Sequence, residues 1–201
     1  MSAPAPAPAP PPLTDDELDG LLPPALWPLA RVHFTPVEVA RLAARMIAPA
    51  AGERVLDIGA GVGKFCIAAA LAYPEVTFVG VEQRPALVAV ARDLARRLGA
   101  ANVEMIEGDA LALDWSGYTG FYLFNPFGED AHRGAVALDG DYDRDPARFF
   151  RSASRARDRL AALPAGTRVV TYHGLGKPAP RGFDVTEVLL PSGRLERWLR
   201  R

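Results

Sequence analysis

The stretch Val55-Leu56-Asp57-Ile58-Gly59-Ala60-Gly61-Val62-Gly63-Lys64 decides how this chain folds. Arg54–Ile58 reads as a buried strand. Gly59, Gly61 and Gly63 then turn the chain into a helix over Val62–Tyr73. Glycine lets a backbone approach a ligand closely, and the N–H groups at a helix start attract polar or anionic groups. A dinucleotide fingerprint needs G-x-G-x-x-G, but here the third glycine comes one residue early. A phosphate loop of the Walker type needs four residues between its glycines and a hydroxyl after the lysine. Gly59 and Gly63 enclose only three, and Phe65 follows Lys64. Both nucleotide readings fail.

Outward from this loop, strand and helix patterns alternate. Downstream, Val76–Val81 reads as a strand, Pro85–Leu98 as a helix, and Asn102–Ile106 and Gly120–Phe124 as strands. Pro146–Leu163 is helical, Thr167–His173 a strand, and Asp184–Leu190 with Arg194–Leu199 a closing hairpin around Pro191-Ser192-Gly193. Upstream, Thr14-Asp15-Asp16-Glu17 is a capping box that starts a short helix, which Pro23-Pro24 stops. Pro36 opens a helix running to Ile47, with Val39, Leu42, Ala43, Met46 and Ile47 on its apolar face. Strands alternating with helices predict a parallel sheet covered on both faces.

Two further strand ends carry acids. Glu82 closes a strand 19 residues after Gly63, and a carboxylate there can accept both hydrogen bonds of a ribose diol. Glu107-Gly108-Asp109-Ala110 follows the next strand, and Phe124-Asn125-Pro126-Phe127 the fourth. The plain alternatives are a solvated strand-end acid, an ordinary turn aspartate and a strand-end Asn-Pro turn.

With D-x-G-x-G-x-G at Asp57–Gly63 and these strand ends in order, residues 34–172 resemble the class I S-adenosylmethionine-dependent methyltransferases. The resemblance implies a Rossmann-like, doubly wound, mostly parallel seven-stranded α/β sheet with an antiparallel last strand. It also implies S-adenosylmethionine as cofactor. The loop Gly59, Ala60, Gly61, Gly63 would wrap its methionine part, with Asp57 near the ammonium. Glu82 and the adjoining Gln83 would face the ribose, and Asp109 and Ala110 the adenine.

Asn125-Pro126-Phe127 resembles the N-P-P-Y/F motif of enzymes that methylate amino nitrogens of bases or protein side chains. There Asn125 and the following carbonyl would accept the target's N–H bonds and an aromatic ring would stack on it, making the three residues the catalytic group. A single proline puts Phe127 where the second would sit, so its stacking role stays open. His33-Phe34-Thr35-Pro36-Val37-Glu38-Val39 resembles a segment shared by amino-methylating DNA enzymes and non-SET protein lysine methyltransferases. It implies that Thr35 and Pro36 close over the methionine end, although a plain helix start explains them equally well.

Composition bounds the rest. The 201 residues are 49% apolar and 23% charged, one ordinary domain with a real core. Ten of 19 prolines lie at or before Pro36, six of them in residues 1–12, which reads as a disordered Ala/Pro tail. Residues 13–50 read as an N-terminal helical extension and 51–201 as the methyltransferase domain. The net charge of −1 hides a split: residues 145–201 carry 12 basic and 5 acidic groups. One cysteine excludes an internal disulfide and a thiolate zinc cluster. With no secretory signal and no apolar run long enough to span a bilayer, a cytoplasmic protein is expected, with no membrane partner.

The expected reaction is N-methylation of a protein side chain, lysine being favoured by the non-SET resemblance. Amino-methylation of a nucleic-acid base or a small molecule is the runner-up, and a non-catalytic cofactor-binding protein the alternative of another class. Glu129, His132, Tyr142 and His173 are weaker candidates for taking a proton. Arg148, Arg151, Arg155 and Arg159 share a helix face that reads as either plain solvated surface or an anion patch.

Overall fold

The computed structural model describes residues 13–131 and 145–201. Its centre is a seven-stranded sheet in the order β3-β2-β1-β4-β5-β7-β6. The strands are β1 (Arg54–Ile58), β2 (Thr77–Glu82), β3 (Val103–Glu107), β4 (Gly120–Phe124), β5 (Arg168–Tyr172), β6 (Phe183–Leu190) and β7 (Gly193–Arg200). The first five pair in parallel, and β7 inserts antiparallel between β5 and β6. This is the Rossmann-like sheet the sequence predicts.

The central strands β1, β2, β4 and β5 read as nearly continuous apolar runs because both their faces are covered. Along β1 the side chains alternate between two cores. Val55 joins Tyr122, Val170 and Leu195 on one face. Leu56 and Ile58 join Val79, Phe121, Leu123 and Trp198 on the other.

The first face is covered by α3 (Val37–Ile47), α4 (Lys64–Ala72) and α5 (Pro85–Arg97). Helix α4 is apolar all round and buried from Lys64 to Ala70, as a central crossover must be. The second face is covered by α7 (Pro146–Ala161), through Ala156 and Leu160, and by Trp115 and Tyr118 of the β3–β4 connection. Successive crossovers change face between β1 and β4, so the sheet has its topological switch point there, where open α/β sheets bind ligands. Residues 173–182, rich in Gly and Pro, contain no helix.

Ahead of the sheet, α1 (Asp15–Asp19) starts on the capping box: Thr14 Oγ1 accepts from Glu17 N–H, and Glu17 accepts from Thr14 N–H at 2.8 Å. A 3-10 turn (Pro24–Leu26) and α2 (Trp27–His33) follow, two elements whose limits were not read from the sequence. Pro24 and Pro28 lie in the first two positions of their helices, whose N–H groups need no intrahelical partner, so they start these elements rather than prevent them. Helix α6 (Gly128–Ala131) follows the turn at the end of β4. Among the described residues no helix is long and apolar enough to cross a membrane.

Candidate active site

A cleft of about 270 Å³ opens at the carboxyl ends of β1, β2, β3 and β4. It brings together most of the residues singled out from sequence: Gly59, Gly61, Glu82, Gln83, Asp109, Ala110, Asn125, Pro126 and Phe127. Thr35, Pro36, Asp57, Ala60 and Gly63 do not line it; they lie beneath or beside its walls.

The glycine loop is built by contacts as much as by ligand access. Gly59, Gly61 and Gly63 have φ of 77°, 55° and 76°, which other residues adopt only with strain. A Cβ on Gly59 would lie 3.0 Å from Pro126 Cβ, and one on Gly61 would lie 3.2 Å from the Phe34 ring. The loop is therefore clamped between the β4 turn and the end of α2. Gly63 is the left-handed N-cap of α4, and Ala60 packs against Gly80 of β2, where a Cβ would come within 2.7 Å.

Glu82 is the hub of the cleft. One carboxylate oxygen accepts from Gly61 N–H at 3.1 Å and the other from Arg84 N–H at 2.9 Å. A carboxylate offers about four lone-pair sites, so each oxygen keeps one for a ligand diol. Asp109 holds its own turn, Oδ1 accepting from Leu111 N–H at 2.8 Å, and retains acceptor capacity at the cleft edge.

Asp57 lies under the loop, 4% exposed, with the Cys66 thiol donating to Oδ2 at 3.7 Å. Burial pushes its carboxyl up to about 8; the Glu82 charge adds to the rise and the thiol opposes it. Thr35 is also buried, its Oγ1 3.1 Å from the Tyr122 hydroxyl, which stacks on Phe65.

At the end of β4, Asn125 takes a left-handed conformation, φ 43°. Its carbonyl accepts from Gly128 N–H at 2.8 Å, and its side chain lies across Gly128, where a Cβ would sit 2.1 Å from Nδ2. Gly128 is thus part of the site, and its only signal in sequence was a glycine three residues after the asparagine. Nearby, Arg148 donates to both Asp130 oxygens at 2.9 and 2.7 Å, which ties α7 to α6 at the cleft rim.

The arginines of α7 do not form the anion face considered from sequence. Arg148 and Arg151 pair with Asp130 and Asp145. Arg159 donates to the carbonyls of Leu111 and Leu113 and lies over the Trp115 ring at 4.1 Å, bracing the loop that carries Asp109 and Ala110. His173 sits beyond the end of β5 at φ 67°, against Tyr172 and Phe124, and burial lowers its imidazole. His132, Tyr142 and the Glu129 side chain lie outside the described residues.

Two acids at successive strand ends, Glu82 and Asp109, line the cleft beside a glycine cradle and offer acceptors to a polar ligand, while Asp57 lies beneath it. Comparison with known proteins agrees. Residues 49–139 match the family described as methyltransferase domain. A release factor glutamine methyltransferase of Geobacter sulfurreducens is 31% identical over 141 residues, 70% of this chain and 43% of the relative. A tRNA (guanine-N(7)-)-methyltransferase of Staphylococcus epidermidis is 34% identical over 59 residues, 29% of this chain and 27% of the relative. Among solved structures, an RNA methyltransferase from Salinibacter ruber in complex with S-adenosyl-L-homocysteine aligns with a TM-score of 0.62 and 26% identity. It covers 82% of this chain and 92% of that one. The chain spans less than half the length of these curated relatives.

Proposed function

We propose that this chain, which carries a class I (Rossmann-like) S-adenosylmethionine-dependent methyltransferase domain, methylates the nitrogen of a planar amino group held at Asn125. The observation that carries the reading is the Asn125 turn. A residue in the left-handed region at the switch-point edge, with its side chain laid over Gly128, is a strained device of the kind that clusters at functional sites.

In this reading the cofactor supplies an electrophilic methyl on a sulfonium. Asn125 Oδ1 and the Pro126 carbonyl accept the two N–H bonds of the acceptor, which turns the nitrogen lone pair toward the methyl. The nitrogen–methyl bond would form as the methyl–sulfur bond breaks, with S-adenosylhomocysteine as leaving group and one N–H proton passing to water; in such an in-line displacement positioning and exclusion of bulk water from the reacting atoms provide most of the acceleration. Glu82 holds the ribose, Gly59–Gly63 the methionine part and Asp109 the adenine. Phe127 walls the acceptor side. Thr35 and Pro36 act indirectly, setting the start of α3 beside the loop.

A side-chain amide is the favoured acceptor, supported by the glutamine methyltransferase likeness, which runs over 70% of this chain. An exocyclic amine of an RNA base is the second reading, favoured by the likeness to the Salinibacter ruber RNA methyltransferase over nearly all of that protein. Lysine fits less well: an ammonium has no lone pair until a base removes a proton, and two fixed acceptors match a trigonal NH2.

The test offers methyl-labelled S-adenosylmethionine to the purified protein with bulk tRNA and rRNA in one arm and release factors in the other. Label in release factor supports the amide, and label in RNA alone moves the acceptor to a base. No label in either arm overturns both acceptor readings. Asn125→Ala should lower turnover about 100-fold while S-adenosylhomocysteine affinity is kept. Normal turnover by that variant overturns the amine-holding role.

A further inference from the structure

Lys64, the residue that imitates a phosphate-loop lysine, takes no part in the reading above. Its side chain is 2% exposed and reaches away from the cleft toward α1, with Nζ 2.5 Å from Asp15 Oδ1 and 2.8 Å from Asp19 Oδ1. Asp15 at the same time accepts from Val37 N–H at 3.1 Å, at the start of α3. One buried cation thus fastens α1, α3 and α4 together.

The placement works against helix electrostatics. Lys64 is the first residue of α4, where the helix dipole disfavours a positive charge. Two carboxylates from another segment offset both that dipole and the loss of water around the ammonium. A buried ammonium is tolerated only when paired in this way. Helix α1, for its part, has five residues, far too few to persist without tertiary contacts.

What the clasp holds is one wall of the cleft. Between α1 and α3 the chain runs through α2, and Val32, His33 and Phe34 line the cleft. Phe34 is 4% exposed and abuts Gly61, whose N–H donates to Glu82. A contiguous path therefore leads from the Asp15–Lys64–Asp19 clasp through residues 14–34 to the glycine loop and the ribose-facing acid.

We propose that Lys64 is a positioning residue whose buried clasp holds residues 14–34 as a strap across the cofactor loop, so that strap docking and cofactor occupancy stabilise each other. The inference rests on the cofactor assignment of the preceding section but not on the acceptor. Coupling of this kind is reciprocal: whatever docks the strap tightens cofactor binding by the factor with which the cofactor docks the strap.

The experiment is hydrogen exchange and calorimetry on the full chain with and without S-adenosylhomocysteine. In the wild type the compound slows exchange of amides in residues 14–34. In Lys64→Met those amides exchange fast, β1, β2 and β4 keep their protection, and affinity for the compound falls about 10-fold. Asp19→Asn, which keeps the Asp15–Lys64 pair, shifts both readouts in the same direction by less, and it serves as the variant if Lys64→Met does not fold. A lysine with a merely structural role would lower the melting temperature and leave the compound's effect on the strap intact. Unchanged strap protection or unchanged affinity in Lys64→Met, or in Asp19→Asn where only that variant folds, overturns the strap. A wild type that binds no S-adenosylhomocysteine overturns the cofactor assignment instead.

Discussion

Replacing Asp57 by asparagine removes a strongly displaced titration beneath the glycine loop and leaves the side chain's shape. The carboxyl is 4% exposed, and burial, reinforced by Glu82, raises it from an ordinary 3.8 to about 8. In the unfolded chain it ionises near its ordinary value. From about pH 5 to pH 7 the unfolded state has therefore lost this proton and the folded state retains it. Folding stability falls as pH rises, at about 1.4 kcal/mol per pH unit for one proton. This contribution is full below about pH 4 and is lost as pH climbs through about 8. Over the two units from pH 5 to pH 7 the loss is about 3 kcal/mol, and Asp57→Asn abolishes it because an amide does not titrate. Guanidinium unfolding of both proteins at pH 5, 6 and 7 measures the difference directly, since the titrations not coupled to Asp57 cancel in it. The variant should gain about 3 kcal/mol on the wild type across that range. Parallel pH profiles would refute the argument, because they would mean Asp57 is already ionised in the folded protein.

Glu82→Ala should weaken S-adenosylhomocysteine binding about 100-fold by calorimetry, since it removes two charge-assisted hydrogen bonds to the diol; an unaltered affinity rules out the ribose role. Gly59→Ala should destabilise the fold by about 1–3 kcal/mol in denaturant, adding a Cβ 3.0 Å from Pro126 to the strain of φ 77°. Gly99→Ala, at φ 69° with nothing within 4 Å, bears the strain alone. Equal losses in the two variants would mean that the clamp between Gly59 and Pro126 is slack.

The sheet was legible because its central strands β1, β2, β4 and β5 are buried on both faces and so announce themselves as apolar runs. Arg54–Ile58 and Gly120–Phe124 coincide with their predicted limits, and the other strand boundaries fall within one or two residues. Of the cleft, the sequence revealed the parts that depend on strand ends, Glu82, Asp109 and Asn125 among them. The distinction it could not draw is between lining the cleft and supporting it. Asp57 and Thr35 belong to the right motifs but point into the core, where their partners are Cys66 and Tyr122. Helix α2 went unread because prolines that start helices look locally like prolines that stop them.

Spacing along one chain was enough for the glycine loop and the order of the acidic strand ends, since each is set within a few residues of its own strand; the class of cofactor followed from the family resemblance that these motifs carry. Tertiary structure alone decided what each group faces. Arg148, Arg151 and Arg159 became struts rather than an anion face. Lys64, which sequence gave no role, pairs with Asp15 and Asp19, 49 and 45 residues away. A charge in a low-dielectric interior takes whatever partner the fold brings within about 3 Å, and that distance is set by packing, not by the neighbours a residue has in sequence.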